Sequence, residues 1–416
     1  MNLLFDFITA SIKEGSGEYQ RSVFLTLMDR LNSEGRTDVN LFGLYNSNKG
    51  IIYEDLRPSS IASVFPRIPV VFIDCANYNI AAIISDYHID CFFVCCHAYF
   101  SNMKDICKLK CKVVCTMHDI GHEEYYNEKL GIYSILIRPG MCGEPAKLQR
   151  LRHLRKIPAI NRLLNTIDRF TIYYIKGGGN KQYCSNPGKL FSDLYQNNPA
   201  TRIITVSDCS RNALVYYYGF NKTDIQVLYP PERKYNLSKH YTDPQLNKLL
   251  LSGKKYYLMV SADRDNKNPY KAVNAFKRFA EYKPDVYLVT IGFKYGGMFK
   301  NHISLSFLSD SDLQLAISNC YALLYPSLFE GFGYPPIEAM KYGKPVLSSN
   351  ATSMPEILGD APIYFCPLYE SAIFSALLKL TDDNYQYYAD KSSTRYNLVH
   401  QRQIQDLHTL VSILIA

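Results

Sequence analysis

The stretch YALLYPSLFEGFGYPPIEAMKYG (residues 321–343) passes from an apolar run, through a glycine turn, into a run of helix formers. "YALLYPSLF" reads as a strand that runs out at Glu330. Gly331 and Gly333 allow backbone conformations that other residues resist, so the chain can turn sharply and bring its N–H groups near a ligand. Pro335 and Pro336 do not fit a helix interior but suit its first turn. "PPIEAMKYG" is therefore a helix that starts after the turn and stops at Gly343. Glu330 then stands at the strand exit and Glu338 at the helix start, both bordering one crevice. A helix start favours an anion, and paired hydroxyls are natural donors to carboxylates. The pattern suits a ligand carrying both phosphate and sugar. Each glutamate alone has a plain structural use, Glu338 as a complement to the helix dipole and Glu330 as a solvated loop residue.

Working outward, the same strand–helix alternation fills the chain. In the first half, apolar runs rich in β-branched or aromatic residues lie at 2–8, 69–75, 91–96, 112–117 and 202–207. In the second half, "YYLMVSA" (256–262), "VYLVTIG" (286–292), "ISLSFLS", "YALLYPS" (321–327), "PVLSS" and "APIYFCP" alternate with amphipathic segments. Nearly unbroken apolar strands between such helices imply parallel sheets covered on both faces. Two sets imply two doubly wound domains. Periodicity is weakest at 230–254, which places the linker there. The expected domains are 1–235 and 236–399, with a final helix at about 400–416 packing back on the first.

Composition supports two globular cores rather than disorder, with 47% hydrophobic and 20% charged residues. No apolar run reaches the roughly 18 residues that span a bilayer. The start, "MNLLFDFITASIKEGSG", carries Asp6 inside its apolar run and lacks a basic leader, so it reads as a first strand rather than a signal peptide. The twelve cysteines are scattered, with no CxxC pair, and read as reduced core thiols. The net charge of +8 selects no partner class by itself. Part of it is concentrated at 147–170, where Arg150, Arg152 and Arg155 belong to a basic amphipathic stretch. That stretch is either a solvated surface helix or a contact for an anionic membrane.

The spacing Glu330 to Glu338, continued by Pro345, Ser348, Ser349 and "PEILGDA", resembles the donor site of family-4 glycosyltransferases, group 1 type. These are retaining enzymes of the GT-B fold, whose two Rossmann-like domains face a central cleft. The resemblance implies that the N-terminal domain binds the acceptor and the C-terminal domain the nucleotide sugar. It assigns Glu330 to the sugar hydroxyls and Glu338 to the ribose, with Gly331, Phe332, Gly333 and Tyr334 beside the donor. "EGSGEYQ" is similar to the family's glycine-rich loop, which puts Gly15, Ser16 and Gly17 near the diphosphate. "TMHDIG" is similar to its His-Asp, which puts His118 near the transferred sugar and Asp119 on the acceptor side with Arg150, Arg152 and Arg155. Lys267 matches the lysine that neutralises the leaving diphosphate. The arginine expected five residues earlier is Ala262 here, and Arg264 is the substitute.

The resemblance implies a hexosyltransferase that uses a GDP-, UDP- or dTDP-sugar and a glycan or lipid-linked oligosaccharide acceptor. Surface polysaccharide synthesis, of O-antigen or capsule, is the expected setting. The enzyme would be cytoplasmic, either free or peripheral on the cytoplasmic face of the inner membrane. It would need no cofactor, metal or nucleic acid. Two alternatives stand beside it. One is a catalytically inactive sugar-nucleotide-binding subunit. The other is a metal-dependent transferase of the GT-A fold using the D-x-D at 263–265; a second D-x-D, at 310–312, reads as a helix start.

Overall fold

A computed structural model describes residues 1–11, 15–76, 79–100, 103–120, 187–235, 243–293 and 298–416. The basic stretch 147–170, with Arg150, Arg152 and Arg155, lies outside the described residues. The described chain forms two compact units. One holds residues up to Ile120, then 187–234 and Leu398–Ala416; the other runs over Tyr235–Asn397.

The first unit is built on seven strands: β1 (Asn2–Asp6), β2 (Asn40–Tyr45), β3 (Val70–Asp74), β4 (Cys91–Val94), β5 (Lys112–Met117), β6 (Arg202–Thr205) and β7 (Ile225–Val227). All pairs are parallel, in the order β3-β2-β1-β4-β5-β6-β7. Helices α1 (Gly15–Ser33), α2 (Pro58–Val64), α3 (Ile80–Asp86), α4 (Pro187–Asn197) and α5 (Asp208–Tyr218) connect or cover them. Side chains alternate across a strand, so Leu3 and Phe5 enter one core layer and Leu4 the other. Phe5 meets Phe24 and Phe93 at 5.1 Å in edge-to-face contacts, and Phe7 meets Phe24 at 4.8 Å.

Two of these strands escape the apolar-run pattern. β2 has Gly43 at its centre, which weakens the strand signal. A Cβ there would lie only 3.0 Å from the Phe72 ring and 3.2 Å from Phe7, so the rings pack closely over a glycine. β7 is three residues long, too short for an alternation to register.

The second unit has six parallel strands: β8 (Lys255–Met259), β9 (Val286–Ile291), β10 (His302–Leu305), β11 (Ala322–Tyr325), β12 (Val346–Ser349) and β13 (Ile363–Phe365). Their order is β10-β9-β8-β11-β12-β13. The helices are α6 (Pro244–Leu251), α7 (Pro269–Tyr282), α8 (Asp310–Asn319), α9 (Tyr334–Lys341), α10 (Met354–Leu358) and α11 (Glu370–Lys379). The "DSD" at 310–312 opens α8. Ser309 caps that helix by accepting from Asp312 N at 3.1 Å, and its hydroxyl donates to Asp312 Oδ2 at 2.9 Å.

A final helix, α12 (Asp382–Ile415), begins well before residue 400. Within the second unit Arg395 donates to the carbonyls of Ile357 and Glu356. Within the first, Asp406 accepts from Tyr229 N at 2.7 Å, Gln403 donates to Pro230 O, and Lys112 donates to Ile413 O.

Both sheets reverse their strand order once, between β1 and β4 in the first unit and between β8 and β11 in the second. Ligands of open α/β sheets bind beyond the carboxyl ends at such a reversal. In the first unit Asp6 occupies it. Its carboxylate is buried and accepts from Ile8 N, Thr9 N, the Thr9 hydroxyl and Cys95 N, tying β1 to the end of β4. Burial pushes its pKa up to about 6 against those four bonds. Replacing Asp6 by Ala orphans three buried N–H groups, so stability should fall by about 3 kcal/mol or more. Urea unfolding of the variant beside wild type measures this, and an unchanged midpoint contradicts the role.

Candidate active site

The reversal in the second unit is lined by a charge pair instead. Lys267 ends a short 3-10 turn (Asp265–Lys267) between β8 and α7, and Glu330 follows β11. Lys267 Nζ donates to Glu330 Oε1 at 2.5 Å and to the Tyr325 hydroxyl at 2.7 Å. Its ammonium lies 4.6 Å from the Tyr325 ring centre. Glu330 Oε1 also accepts from the Ser327 hydroxyl at 2.6 Å. Lys267 is 5% exposed, so its charge needs these partners.

The loops that carry the pair are joined through their backbones. Leu328 N donates to Asn266 O at 2.7 Å, and Asn266 Nδ2 to Phe329 O. Asn268 caps the turn into α7 in a left-handed conformation, φ 56°. Its amide donates to Pro367 O at 2.8 Å and to Pro326 O at 3.4 Å. Glu330 N donates to the Thr352 hydroxyl, and the Ser353 hydroxyl donates to Glu330 O, so the segment after β12 fixes the glutamate's backbone.

The turn from β11 to α9 has the form expected from the glycines and prolines. Gly333 precedes the helix at φ 86°, and a Cβ there would lie 2.4 Å from Met354 Cε. The positive φ favours glycine, whereas the Met354 tip could move aside. Gly343, at φ 62°, closes α9 by donating to Met340 O. Two details differ from expectation. Glu338 is the fifth helical residue, buried in the second turn, not at the helix start. Pro335 and Pro336 bring no N–H groups, so the start of α9 offers an anion few donors and Lys267 is the main cationic group of the loop pair. Phe332 is buried against Tyr334, with ring centres 5.5 Å apart.

Tyr325 and Ser327 went unmarked in the sequence because both sit inside an apolar strand exit. The Tyr325 hydroxyl is held protonated by burial first, then by the neighbouring Glu330 charge. Arg264 is exposed, three residues before Lys267, and Asp263 has a buried Oδ1 with no hydrogen-bond partner among the described residues.

The expected residues of the first unit gather at the ends of β4 and β5. Gly15, Ser16 and Gly17 are not a loop but the first turn of α1, and the Ser16 hydroxyl lies 3.1 Å from that of Tyr99. His118 follows β5, and Asp119 is exposed beside it. His118 Nε2 lies 3.0 Å from the Cys95 carbonyl, which can only accept, so that nitrogen carries the proton and Nδ1 is an acceptor. The ring packs edge-on to Tyr19 at 4.7 Å, whose hydroxyl lies 2.9 Å from that of Thr116. Burial lowers the His118 pKa to about 4, opposed by the bond to Cys95.

A neutral ring is therefore expected at pH 7. With the folded pKa below the ordinary 6.5, the stability held by the neutral ring is complete above pH 6.5. It is lost as pH falls through about 4. An NMR titration of the His118 ring protons should show a midpoint near 4; a midpoint near 6.5 contradicts this environment.

Residues 243–384 match the family of glycosyl transferases group 1. The O-antigen chain mannosyltransferase B of Escherichia coli is 29% identical over 216 residues, covering 45% of this chain and 53% of the relative. The chain thus spans about half the length of this curated relative. Among solved structures, sucrose-phosphate synthase from Thermosynechococcus elongatus superposes with a TM-score of 0.62 at 12% identity, covering 100% of this chain and 99% of that one. Anabaena HepE in complex with UDP gives 0.58 at 14% identity, covering 99% of both. The two parallel sheets and these likenesses establish the GT-B fold. The GT-A alternative is thereby excluded, and the "DRD" at 263–265 is part of the turn that delivers Lys267.

Proposed function

We propose that this chain, a group 1 glycosyl transferase over residues 243–384, moves a hexosyl group from a nucleotide sugar to a glycan or lipid-linked acceptor. The observation that carries the proposal is the Lys267–Glu330 pair at the strand-order reversal of the second unit, inside the family-matched segment. Transfer breaks the bond between the anomeric carbon and the diphosphate, and the leaving diphosphate gains negative charge. A prepositioned ammonium stabilises that charge without reorganisation at the moment of reaction. Lys267 has one N–H beyond those given to Glu330 and Tyr325, and that N–H serves the diphosphate. Glu330 Oε2 serves sugar hydroxyls, and Glu338 the ribose.

The relative's name supports mannose as the transferred sugar and O-antigen assembly as the setting. Transfer proceeds with retention, and the base is that of GDP, UDP or dTDP. The first unit receives the acceptor. No divalent cation is required, because Lys267 supplies the charge, so activity persists in EDTA.

Glu330→Gln, Lys267→Gln and Glu338→Gln test the assignments. Glutamine is chosen over alanine because deleting one member of a buried ion pair costs about 3–5 kcal/mol of stability. Lys267→Gln and Glu338→Gln should weaken nucleoside diphosphate binding about tenfold or more, as loss of a charged hydrogen bond does. Glu330→Gln should lower kcat more than it changes KM. Wild-type kinetics in all three would sink the site. Donor binding without turnover on any glycan acceptor would favour a binding subunit. Loss of activity in EDTA, restored by manganese, would overturn the metal-free mechanism.

A further inference from the structure

We infer that Thr352 is a further residue of the donor site, whose hydroxyl gives its proton to the sugar that is transferred. The inference rests on the donor-site reading above and adds a contact to it. Its starting point is a strained backbone. Thr352 stands between β12 and α10 at φ 49°, in the left-handed region. Glycine adopts that region freely, whereas a β-branched residue there is an outlier. Strain of this kind persists where the surroundings over-determine it, and it gathers at ligand sites.

Part of what holds Thr352 is visible. Its hydroxyl accepts from Glu330 N at 3.0 Å, and the hydroxyl of the next residue, Ser353, donates to Glu330 O at 2.8 Å. The two segments are thus fixed to each other at both polar groups of Glu330's backbone. The bond to Glu330 N, however, lies at an exposed position. Water serves an exposed N–H as well, so that bond alone does not account for a threonine in this conformation.

The hydroxyl has a second capacity. In accepting from Glu330 N it uses a lone pair and keeps its proton. Among the described residues that proton goes to no group, and Thr352 itself is exposed. An exposed hydroxyl, oriented through its oxygen and with its proton unspent, is a ready donor to a ligand.

The strand order says which part of the ligand it meets. β11 lies between β8 and β12. Lys267 comes from the turn after β8, Glu330 from the exit of β11 and Thr352 from the exit of β12. Thr352 therefore enters on the side of Glu330 away from the lysine's strand. With the diphosphate at Lys267 and sugar hydroxyls at Glu330, the group within reach of Thr352 is the sugar. Each sugar hydroxyl can donate and accept, so one gives its proton to Glu330 while a neighbour accepts from Thr352.

Thr352→Gly separates the hydroxyl from the fold, because glycine takes φ 49° without strain. Affinities for GDP, UDP and dTDP, and for GDP-mannose, UDP-glucose and dTDP-glucose, are measured by calorimetry on the full chain. In the variant, affinity for the nucleotide sugar that wild type binds should fall roughly three- to tenfold, the scale of one neutral hydrogen bond. Affinity for the nucleoside diphosphate should stay unchanged, and so should the thermal midpoint. Thr352→Ser keeps the hydroxyl and should restore the sugar-dependent affinity, which a purely structural role does not predict.

If Thr352→Gly fails to fold, Thr352→Ala removes the same hydroxyl without adding a branched side chain, and the same selective fall is expected. Unchanged nucleotide-sugar affinity in a folded variant overturns the inference, as does an equal loss for sugar and diphosphate. So does a wild-type protein that binds a diphosphate but none of the three nucleotide sugars. Each of these leaves the diphosphate site standing. If wild-type protein binds none of the diphosphates, the donor-site reading fails, and this inference with it.

Discussion

The second unit depends on one constraint, which is that Lys267 and Glu330 must meet out of bulk water. Two charges removed from solvent repay their desolvation only if their geometry is good and their remaining hydrogen-bonding capacity is used. Each neighbouring group can be read as an answer to that demand. Tyr325 and Ser327 take up side-chain valences, and Thr352 and Ser353 hold the glutamate's backbone. Asn266 and Asn268 lash the lysine's loop to the exit of β11 and the segment after β13.

Such fastening permits backbone strain. Ser261, Asn268 and Thr352 adopt left-handed conformations without being glycine, and Gly292 and Gly333 do so as well. All five stand between a strand end and the element that follows it in the second unit. In the described part of the first unit, His88 is the one non-glycine residue with a positive φ. For the three non-glycine residues such conformations cost on the order of 1–3 kcal/mol each and persist where the surroundings over-determine them. Their concentration along one edge is itself a pointer to the site.

The two units share a topology but use its central point differently. In the first, the Asp6 carboxylate is satisfied by the protein's own donors, so the reversal between β1 and β4 is closed internally. The polar groups near it, His118 and Tyr19, lie one strand further along, where β5 ends. In the second, the reversal holds the Lys267 ammonium, paired with Glu330 and bonded to Tyr325. The same architecture thus carries a buried carboxylate bonded to backbone in one unit and a buried ion pair in the other, and residues 243–384, which carry the latter, are those matched to the family.

Much of this was legible in the residues. Parallel strands buried on both faces announce themselves as apolar runs, and all six strands of the second unit lie in such runs. The glycines and prolines of 331–343 specify their turn and helix through local backbone sterics. β2 was hidden by Gly43, whose reason is a Phe72 ring from the neighbouring strand. The early start of α12 was hidden by the polar and aromatic run from Asp382, where no apolar period stands out. The Glu330 to Glu338 spacing is local and could be read directly. The bond between Lys267 and Glu330 spans 63 residues and exists only because β8 and β11 are neighbours. Local sterics and periodicity determine what each segment becomes. Which segments lie side by side depends on the order of strands in the sheet, and no one-dimensional period records that order. The sequence alone therefore determined the strands, the turn and the carboxylate pair, while the tertiary structure decided that the glutamate's partner is a lysine held in place by Tyr325.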